Sequence, residues 1–441
     1  MRYPDFSKAD HNLWQMREFG MQQSERGSTE AVAAVFARIE GQLQAAVAEI
    51  VALEPEAELA RREPNDLAAI RALRPQGPRT LLDRLEPKTL ADTMAGAVLG
   101  RFAACCLGLP VEGWPIERMK DFARQTGTPF PPTEYWHEVT DPEGLHYGVS
   151  PRKAFSLTGM NGVPVDDDLI YTQVALLVLE KYGFDFTTDD VGAFWLEHLP
   201  IACTAEDIAL KNLKAGVPAT LTGEVDNMWT GIIGAAIRSD GWAWACAGRP
   251  EQAAELAYRD AWLSHRRNGV YGEMFWAAAQ AAAFCETTVR GCLDVGLSEI
   301  PADCELARDV RWALELGPNL SDYLAARKAV DERFPGMPSA HTRNNACLTI
   351  FGLLLGKGDF TKTISDTVAM GLDNDCTAAT AGSLLGALVG KAGIDDRWTR
   401  GFANTAHTYL TGFPSFALDD LIARFVKLAE LNPNRTSRSA S

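Results

Sequence analysis

The sequence lacks both a Cys-x-x-Cys pair and a His-Glu-x-x-His motif, so the ligand patterns of the common zinc sites are absent. Its nine cysteines include one adjacent pair, and several lie in Ala- and Leu-rich stretches where a free thiol acts as a small apolar side chain. Their odd number disfavours a disulfide framework and favours a reducing compartment. We therefore predict a cytoplasmic protein, and we disfavour a zinc site.

The N-terminus lacks the basic and then apolar pattern of a secretory signal, and no apolar run is expected to reach membrane-spanning length. The best candidate, residues 99–109, is short and interrupted by Arg101. Lysine and arginine number 42 against 58 acidic residues, which gives a formal net charge of −16. Such a chain repels phosphate backbones and anionic lipid, so we predict neither a nucleic-acid nor a membrane partner. Bound cations can still make the local charge positive, so that a small anionic ligand can bind.

The first 85 residues differ in composition from the rest of the chain. They are rich in charge, and residues 30–74 show helical spacing of apolar side chains. We expect residues 1–85 to form a helical N-terminal extension that packs on the main domain or joins a second subunit in a homo-oligomer. Residues 86–430 would form the main domain, and the Ser- and Arg-rich residues 431–441 a disordered tail.

The main domain is rich in alanine, glycine and leucine, and its apolar residues recur with helical periodicity. Few stretches alternate with a period of two, and no series of three consecutive strands is convincing. We therefore predict an all-α fold, a large compact helical domain. Its helices are expected at residues 89–107, 169–182, 189–197, 204–214, 251–263, 274–286, 304–315, 319–329, 344–355, 361–370, 376–391 and 416–430.

Two of the predicted helices carry a small residue at every fourth position. These residues are Gly96, Gly100, Ala104 and Gly108 in the first helix, and Ala378, Gly382, Gly386 and Gly390 in the second. A spacing of four places them on one helix face, where a neighbouring backbone can approach closely. We predict that both helices pack tightly at the centre of the domain.

Acidic residues stand at the ends of these interior helices. Asp166, Asp167 and Asp168 precede the helix at 169–182, and the triplet Asp-Asn-Asp at 373–375 precedes the helix at 376–391. One aspartate would serve as an N-cap, but three in a row repel one another. Oxygen ligands of this kind select Mg²⁺, Mn²⁺ or Ca²⁺. The alternative for the first run is a capping aspartate with two solvated neighbours.

A series of short motifs gives the chain a resemblance to the ADP-ribosylglycohydrolase family, which includes the dinitrogenase-reductase-activating glycohydrolases. The motifs lie in family order over about residues 89–395. They are GAVLG at 96–100, LGLPVE at 107–112, DDD at 166–168, IGAAIR at 233–238, SHRRNGVYG at 264–272, HTRNNA at 341–346 and MGLDNDCT at 370–377. The Asp-Asp-Asp-x-x-Tyr-Thr variant resembles a bacterial branch of the family.

This resemblance implies an all-α glycohydrolase that cleaves an N- or O-glycosidic bond of an ADP-ribosyl or related ribosyl group, on a protein or a small molecule. It implies two Mg²⁺ ions, with Mn²⁺ as an alternative. The metal-site residues it indicates are Asp166, Asp167, Asp168, Asp373, Asp375 and, by position, Cys376. Asp167 and Glu112 are the expected catalytic carboxylates, with Asp167 as the general base.

The resemblance also implies a substrate pocket, whose expected residues are Arg238, His265, Tyr271, His341 and Asn345. A structural histidine at 265, a surface ion pair at Arg238 and core packing of Tyr271 are the alternatives.

The sequence departs from the family pattern at three places. Ala104-Cys105 stands where the family usually has Gly-Asp, Asp166 where it has Thr, and Cys376 where Thr follows the second acidic run. Cys is a poor ligand for Mg²⁺, so the preferred metal stays open. Two other functions also stay open. One is a nucleosidase-like hydrolysis of a ribosylated small molecule, and the other is a non-catalytic binding or structural role like that of the related lens crystallins.

Overall fold

The computed structural model describes residues 3–432, and within that range the chain forms nineteen α-helices and two short antiparallel hairpins. The all-α class predicted from periodicity is confirmed. By its internal contacts the chain divides into two units, Met1–Arg61 with Pro335–Met337 and the remainder of the chain. The predicted tail at 431–441 falls, beyond Asn432, outside the described residues.

The smaller unit contains a helical hairpin, α1 (Ser7–Glu25) and α2 (Thr29–Val51). Gly20 of α1 leaves room for the Phe36 ring of α2, because a Cβ there would lie 2.8 Å from that ring. A third helix, α3 (Ala57–Arg62), follows.

The helical spacing over residues 30–74 corresponds to three helices, and not to helix throughout. The chain leaves helical conformation around Pro55 and again around Pro64, where proline offers no N–H to the helical ladder. The segment instead forms α2, α3 and a further helix, α4 (Leu67–Leu73), which belongs by contacts to the larger unit. The domain boundary that composition places after residue 85 stays a prediction.

The larger unit continues with fifteen more helices within the described range. They are α5 (Leu90–Gly108), α6 (Ile116–Thr126), α7 (Asp167–Tyr182), α8 (Thr188–His198), α9 (Thr204–Lys214), α10 (Ser239–Ala245), α11 (Pro250–Ala261), α12 (Asn268–Ala282), α13 (Val289–Leu297), α14 (Glu305–Leu316), α15 (Tyr323–Arg333), α16 (Thr342–Gly356), α17 (Phe360–Ala369), α18 (Asn374–Val389) and α19 (Leu418–Leu431). Strands β1 (Leu145–His146) and β2 (Ser150–Pro151) form one hairpin, and β3 (Thr405–His407) and β4 (Ser415–Ala417) the other.

Helices α5 and α18 pack backbone against backbone at the centre of this unit. Gly96 lies against Gly386, and Gly100 lies against Gly382, so the two helices run antiparallel. A Cβ at Gly100 would come within 2.3 Å of the carbonyl oxygen of Gly382, which no side chain tolerates. The predicted role of the two small-residue faces is therefore confirmed.

One segment of the described chain, Leu90–Val111, is long and apolar enough to cross a membrane by length and composition, with a mean hydropathy of 1.6. The expectation that no segment reaches this length is thus corrected. The whole of its apolar window is buried inside the protein, and Arg101 near its middle is fully enclosed and ion-paired. Burial of this kind is typical of the central helix of a globular core.

Candidate metal centre

The antiparallel pairing of α5 and α18 brings the C-terminal end of one helix to the N-terminal end of the other. Gly108 permits this approach, since a Cβ there would lie 2.4 Å from the Cα of Asp375. Just beyond α5, the backbone N–H of Gly113 donates to the carbonyl oxygen of Leu372 at 2.9 Å. Glu112 is thereby held beside the acidic turn at the start of α18.

The backbone of this acidic turn is unusual. Gly371 and Leu372 both adopt left-handed conformation, with φ of 71° and 61°, and a leucine is rarely found there. The turn is fixed from α16, because the side-chain oxygen of Asn345 accepts from the N–H of Asp373 at 3.4 Å. The Asn345 amide in turn donates to the carbonyl oxygen of His341 at 2.9 Å. Such strain, held in place by its surroundings, is common at functional sites.

The first acidic run, residues 166–168, begins α7, with Asp166 as the N-cap. Its Oδ1 accepts from the N–H of Asp168 at 3.0 Å and from the thiol of Cys105 at 3.3 Å. Its Oδ2 lies 3.0 Å from Nε2 of His146. Both oxygens of this buried carboxylate therefore have protein partners, and Asp166 fixes the position of the run.

Asp168 is fully buried and bridges two helices. Its Oδ1 accepts from Nη2 of Arg101 at 3.0 Å, and its Oδ2 lies 3.0 Å from the sulfur of Cys376. Arg101 also donates to Oδ2 of Asp240 at 2.8 Å. The sequence prediction missed His146 and Arg101. A single arginine within an otherwise apolar helix was the available signal for Arg101, since a buried cation needs an acidic partner.

The two runs and Glu112 form three groups in which ligand atoms lie within 4.8 Å of one another. The groups are Glu112 with Asp373 and Asp375, Asp168 with Asp375 and Cys376, and Asp166 with Asp167 and Asp168. Asp375 belongs to two groups and Asp168 to two. The structure thus brings all predicted metal-site residues together with Glu112.

Two oxygens in this cluster, Oδ1 of Asp373 and Oδ1 of Asp375, are buried without a hydrogen-bond partner in the described residues. A buried carboxylate oxygen without a partner is costly, and a bound cation would remove that cost. The donor set, mostly carboxylate oxygens on helix ends, fits a divalent cation.

Burial and crowding raise the pKa values of the cluster. Burial shields the carboxylates from solvent, and other carboxylates lie close to them. The pKa values therefore lie well above the ordinary range for Asp167, Asp168 and Asp375. Glu112 is the exposed residue at the rim. Its carboxyl faces the cluster, and desolvation followed by repulsion from Asp373 raises its pKa to about 8. Divalent cations would reverse these shifts.

Of the predicted substrate residues, Arg238 lies in a buried ion-pair network. Its guanidinium contacts Glu206 at 2.5 Å and Asp260 at 2.6 Å, and Glu273 lies 3.6 Å away. Its side chain is 1% exposed. The alternative of a surface ion pair is therefore corrected to a buried one, and a substrate role for Arg238 stays a prediction.

His265, Tyr271 and His341 are buried or largely enclosed. Nδ1 of His265 lies 2.8 Å from Oγ of Ser264, whereas its Nε2 has no partner in the described residues. Tyr271 donates to the carbonyl oxygen of Pro64. His341 caps α16, and burial lowers its pKa to about 4. Burial also lowers the pKa of His265 well below its ordinary value. The substrate roles of all three residues stay predictions.

The comparisons with known proteins agree with this architecture. A solved structure described as an ADP-ribosylglycohydrolase-related protein complex is similar, with a TM-score of 0.54 and 21% sequence identity, over 78% of this chain and 100% of that chain. At this identity the likeness concerns the fold alone. No curated protein matches the sequence. The model of the ADP-ribosylglycohydrolase family, in contrast, matches residues 86–434. That match spans most of the chain and its acidic centre, and the protein therefore belongs to the ADP-ribosylglycohydrolase family.

Proposed function

We propose that the protein is a metal-dependent hydrolase that cleaves the glycosidic bond of an ADP-ribosyl or related ribosyl group. Family membership supports a glycohydrolase. The observation that carries the proposal is the buried carboxylate cluster, in which Asp375 joins two ligand groups and keeps an oxygen without a protein partner. We propose two divalent cations, Mg²⁺ or alternatively Mn²⁺, and a cytoplasmic location in keeping with nine free thiols.

The residues that would hold the cations are the members of the three ligand groups. Bound divalent cations would bind the ribose hydroxyls. They would also lower the pKa of a bound water molecule. Arg101 keeps Asp168 in place, and Asn345 keeps the Asp373 turn in place. These fixed carboxylates would stabilise the positive charge that develops on the anomeric carbon of the sugar.

Two carboxylates of the cluster are suited to proton transfer. Asp167 is less buried than its two neighbours in the run, and we assign it to take the proton of the attacking water. We assign Glu112, at the rim of the cluster, to donate a proton to the leaving group. Bound cations would lower the pKa of about 8 that its carboxyl has without metal.

The test is a panel of ADP-ribosylated and ribosylated compounds incubated with the protein and Mg²⁺ or Mn²⁺, with the released sugar identified by mass spectrometry. We expect release of ADP-ribose, abolished by a chelator. Asp375→Asn should lower the rate by about 100-fold or more. Asp121→Asn is the control, because Asp121 is exposed on α6 and pairs with Arg124 at the surface.

The alternative functions give different results. Release of free ribose from nucleosides, without release of ADP-ribose, would assign the nucleosidase-like activity. Binding of cations in calorimetry without turnover of any compound would assign the non-catalytic role. A rate that a chelator and Asp375→Asn both leave unchanged would contradict the proposed metal centre.

A further inference from the structure

Two of the three ligand groups share Asp375 but differ in the atoms they offer. The group of Glu112, Asp373 and Asp375 contains oxygen donors alone, and its Glu112 is exposed. The group of Asp168, Asp375 and Cys376 contains two carboxylates and one thiol, and all three residues are buried. The two positions therefore differ both in donor chemistry and in access to water.

The sulfur of Cys376 lies within 4.8 Å of a carboxylate oxygen of Asp168 and one of Asp375. It lies 3.0 Å from Oδ2 of Asp168, whose other oxygen is held by Arg101. Cys376 is in the first turn of α18, one residue after Asp375. The residue is 7% exposed, so bulk water does not compete for the sulfur.

A second observation indicates a bound cation at this group. Oδ1 of Asp375, which is 3% exposed, has no hydrogen-bond partner in the described residues. A sulfur and a carboxylate oxygen enclosed together, next to an oxygen without a partner, form a mixed donor set. Mg²⁺ avoids sulfur and prefers oxygen, whereas Zn²⁺ and Co²⁺ accept thiolate together with carboxylate.

We propose that Cys376 is a sulfur ligand in this centre, and that the group of Asp168, Asp375 and Cys376 selects a thiophilic divalent ion such as Zn²⁺ or Co²⁺. The oxygen-only group keeps a preference for Mg²⁺, so the centre takes two different metals. Coordination forms one metal–sulfur bond and breaks the S–H bond, and the proton leaves to solvent. The inference rests on the metal centre of the proposed function, and at one of its two positions it replaces Mg²⁺ or Mn²⁺ by a thiophilic ion.

The experiment uses the full-length protein, stripped of metal and titrated with Co²⁺ in excess Mg²⁺. Absorption spectra would show a thiolate-to-Co²⁺ charge-transfer band in the near ultraviolet, and equilibrium dialysis would give the bound stoichiometry. We expect one Co²⁺ per chain with the band. Cys376→Thr should remove the band and weaken Co²⁺ binding by about 100-fold, while Mg²⁺ binding in calorimetry is kept.

Cys105→Ser is the matched control. Cys105 is also buried and also contacts an acidic residue of the first run, at 3.3 Å from Oδ1 of Asp166, but it belongs to none of the ligand groups. Its substitution should leave the charge-transfer band in place. Circular dichroism of each variant would establish that it is folded, and Cys376→Ser provides a second test with a smaller change in shape.

Each result has a distinct meaning. Stoichiometric Co²⁺ binding to the wild type without a sulfur band would overturn the inference, while the oxygen-ligated centre and the proposed hydrolase would stand. A band of equal strength in Cys376→Thr would also overturn it, because another cysteine would then be the ligand. A band that depends on Cys376, in a protein that hydrolyses no compound of the panel, would leave the sulfur site intact and reject the proposed function.

Discussion

The guanidinium of Arg101 and the carboxylate of Asp168 form a fully buried ion pair, with Nη2 3.0 Å from Oδ1. The same guanidinium lies 2.8 Å from Oδ2 of Asp240 and also donates to the backbone oxygen of Asp168 at 2.9 Å. One cation from α5 therefore neutralises acidic groups of α7 and α10. Within the described chain, this contact fixes the start of α7, where the first acidic run lies.

Replacement of Arg101 by Met should strongly destabilise the fold. Asp168 and Asp240 would keep their burial but lose their cation, and breaking a buried pair in this way costs about 3–5 kcal/mol. Urea denaturation in the presence of a chelator would measure the loss. Arg397→Met is the control, because its pair with Asp395 is 44% and 47% exposed and should contribute less than about 1 kcal/mol. Equal losses in the two variants would contradict a special role for Arg101.

Replacement of Gly100 by Ala should separate α5 from α18. The new Cβ would meet the backbone oxygen of Gly382, and backbone cannot move aside as a flexible side chain can. We expect a loss of about 1–3 kcal/mol, typical of overpacking, and weaker metal binding in calorimetry, since the same packing aligns Glu112 with Asp375. Gly41→Ala is the control. Nothing lies within 4 Å of its added Cβ on the exposed face of α2, so it should gain up to about 1 kcal/mol.

Features that depend on local spacing could be predicted from the sequence. The four-residue spacing of Gly96 and Gly100 predicts a close helix contact. The two helices that follow the acidic runs can be recognised from the periodicity of their apolar residues. The breaks near Pro55 and Pro64 do not show in the helical spacing of apolar residues over 30–74, although proline disfavours the interior of a helix. Helices α6, α10 and α13 of the larger unit were not predicted from the sequence.

Contacts between distant parts of the chain could not be predicted in this way. Arg101 and Asp240 are 139 positions apart, and His146 reaches Asp166 from a two-residue strand that no periodicity reveals. Arg238 shows that a sequence motif alone does not establish the role of a residue. Its motif suggests a substrate residue, whereas its contacts with Glu206 and Asp260 follow from tertiary packing. Local patterns specify which groups are unusual, and only the fold specifies their partners.

The predicted homo-oligomer can be tested on the smaller unit. Its helices expose large apolar side chains, among them Trp14 and Phe19 on α1 and Val47 and Ile50 on α2, each at least 53% exposed. Apolar surface of this kind commonly marks an interface. Val47→Glu with Ile50→Glu should convert an oligomer to a monomer in light scattering. The control, Gln42→Glu with Gln44→Glu, adds the same charge to polar positions of the same helix. A wild type that is monomeric at all concentrations would contradict the prediction.

The acidic cluster also predicts how stability depends on pH. Without metal, the pKa of Glu112 in the folded protein is about 8, against an ordinary value of 4.5. The folded state then binds more protons than the unfolded state between these values, so the stability present below pH 4.5 is lost as the pH rises through 8. The pKa values of Asp167 and Asp375 are raised in the same direction. A bound cation removes the repulsion that causes these shifts.

We therefore expect the stabilisation by Mg²⁺ to grow as the pH rises from about 5 to about 8. Urea denaturation with Mg²⁺ and with a chelator, at several pH values, gives this difference directly, and groups far from the cluster cancel in it. Glu112→Gln should reduce the pH dependence of the chelated protein, because the amide does not titrate. Glu117→Gln is the control, since Glu117 is an exposed residue of α6 that pairs with Lys120. If the curves with Mg²⁺ and with the chelator run parallel across this range, the cluster carboxylates do not exchange protons for metal, and the proposed centre is contradicted.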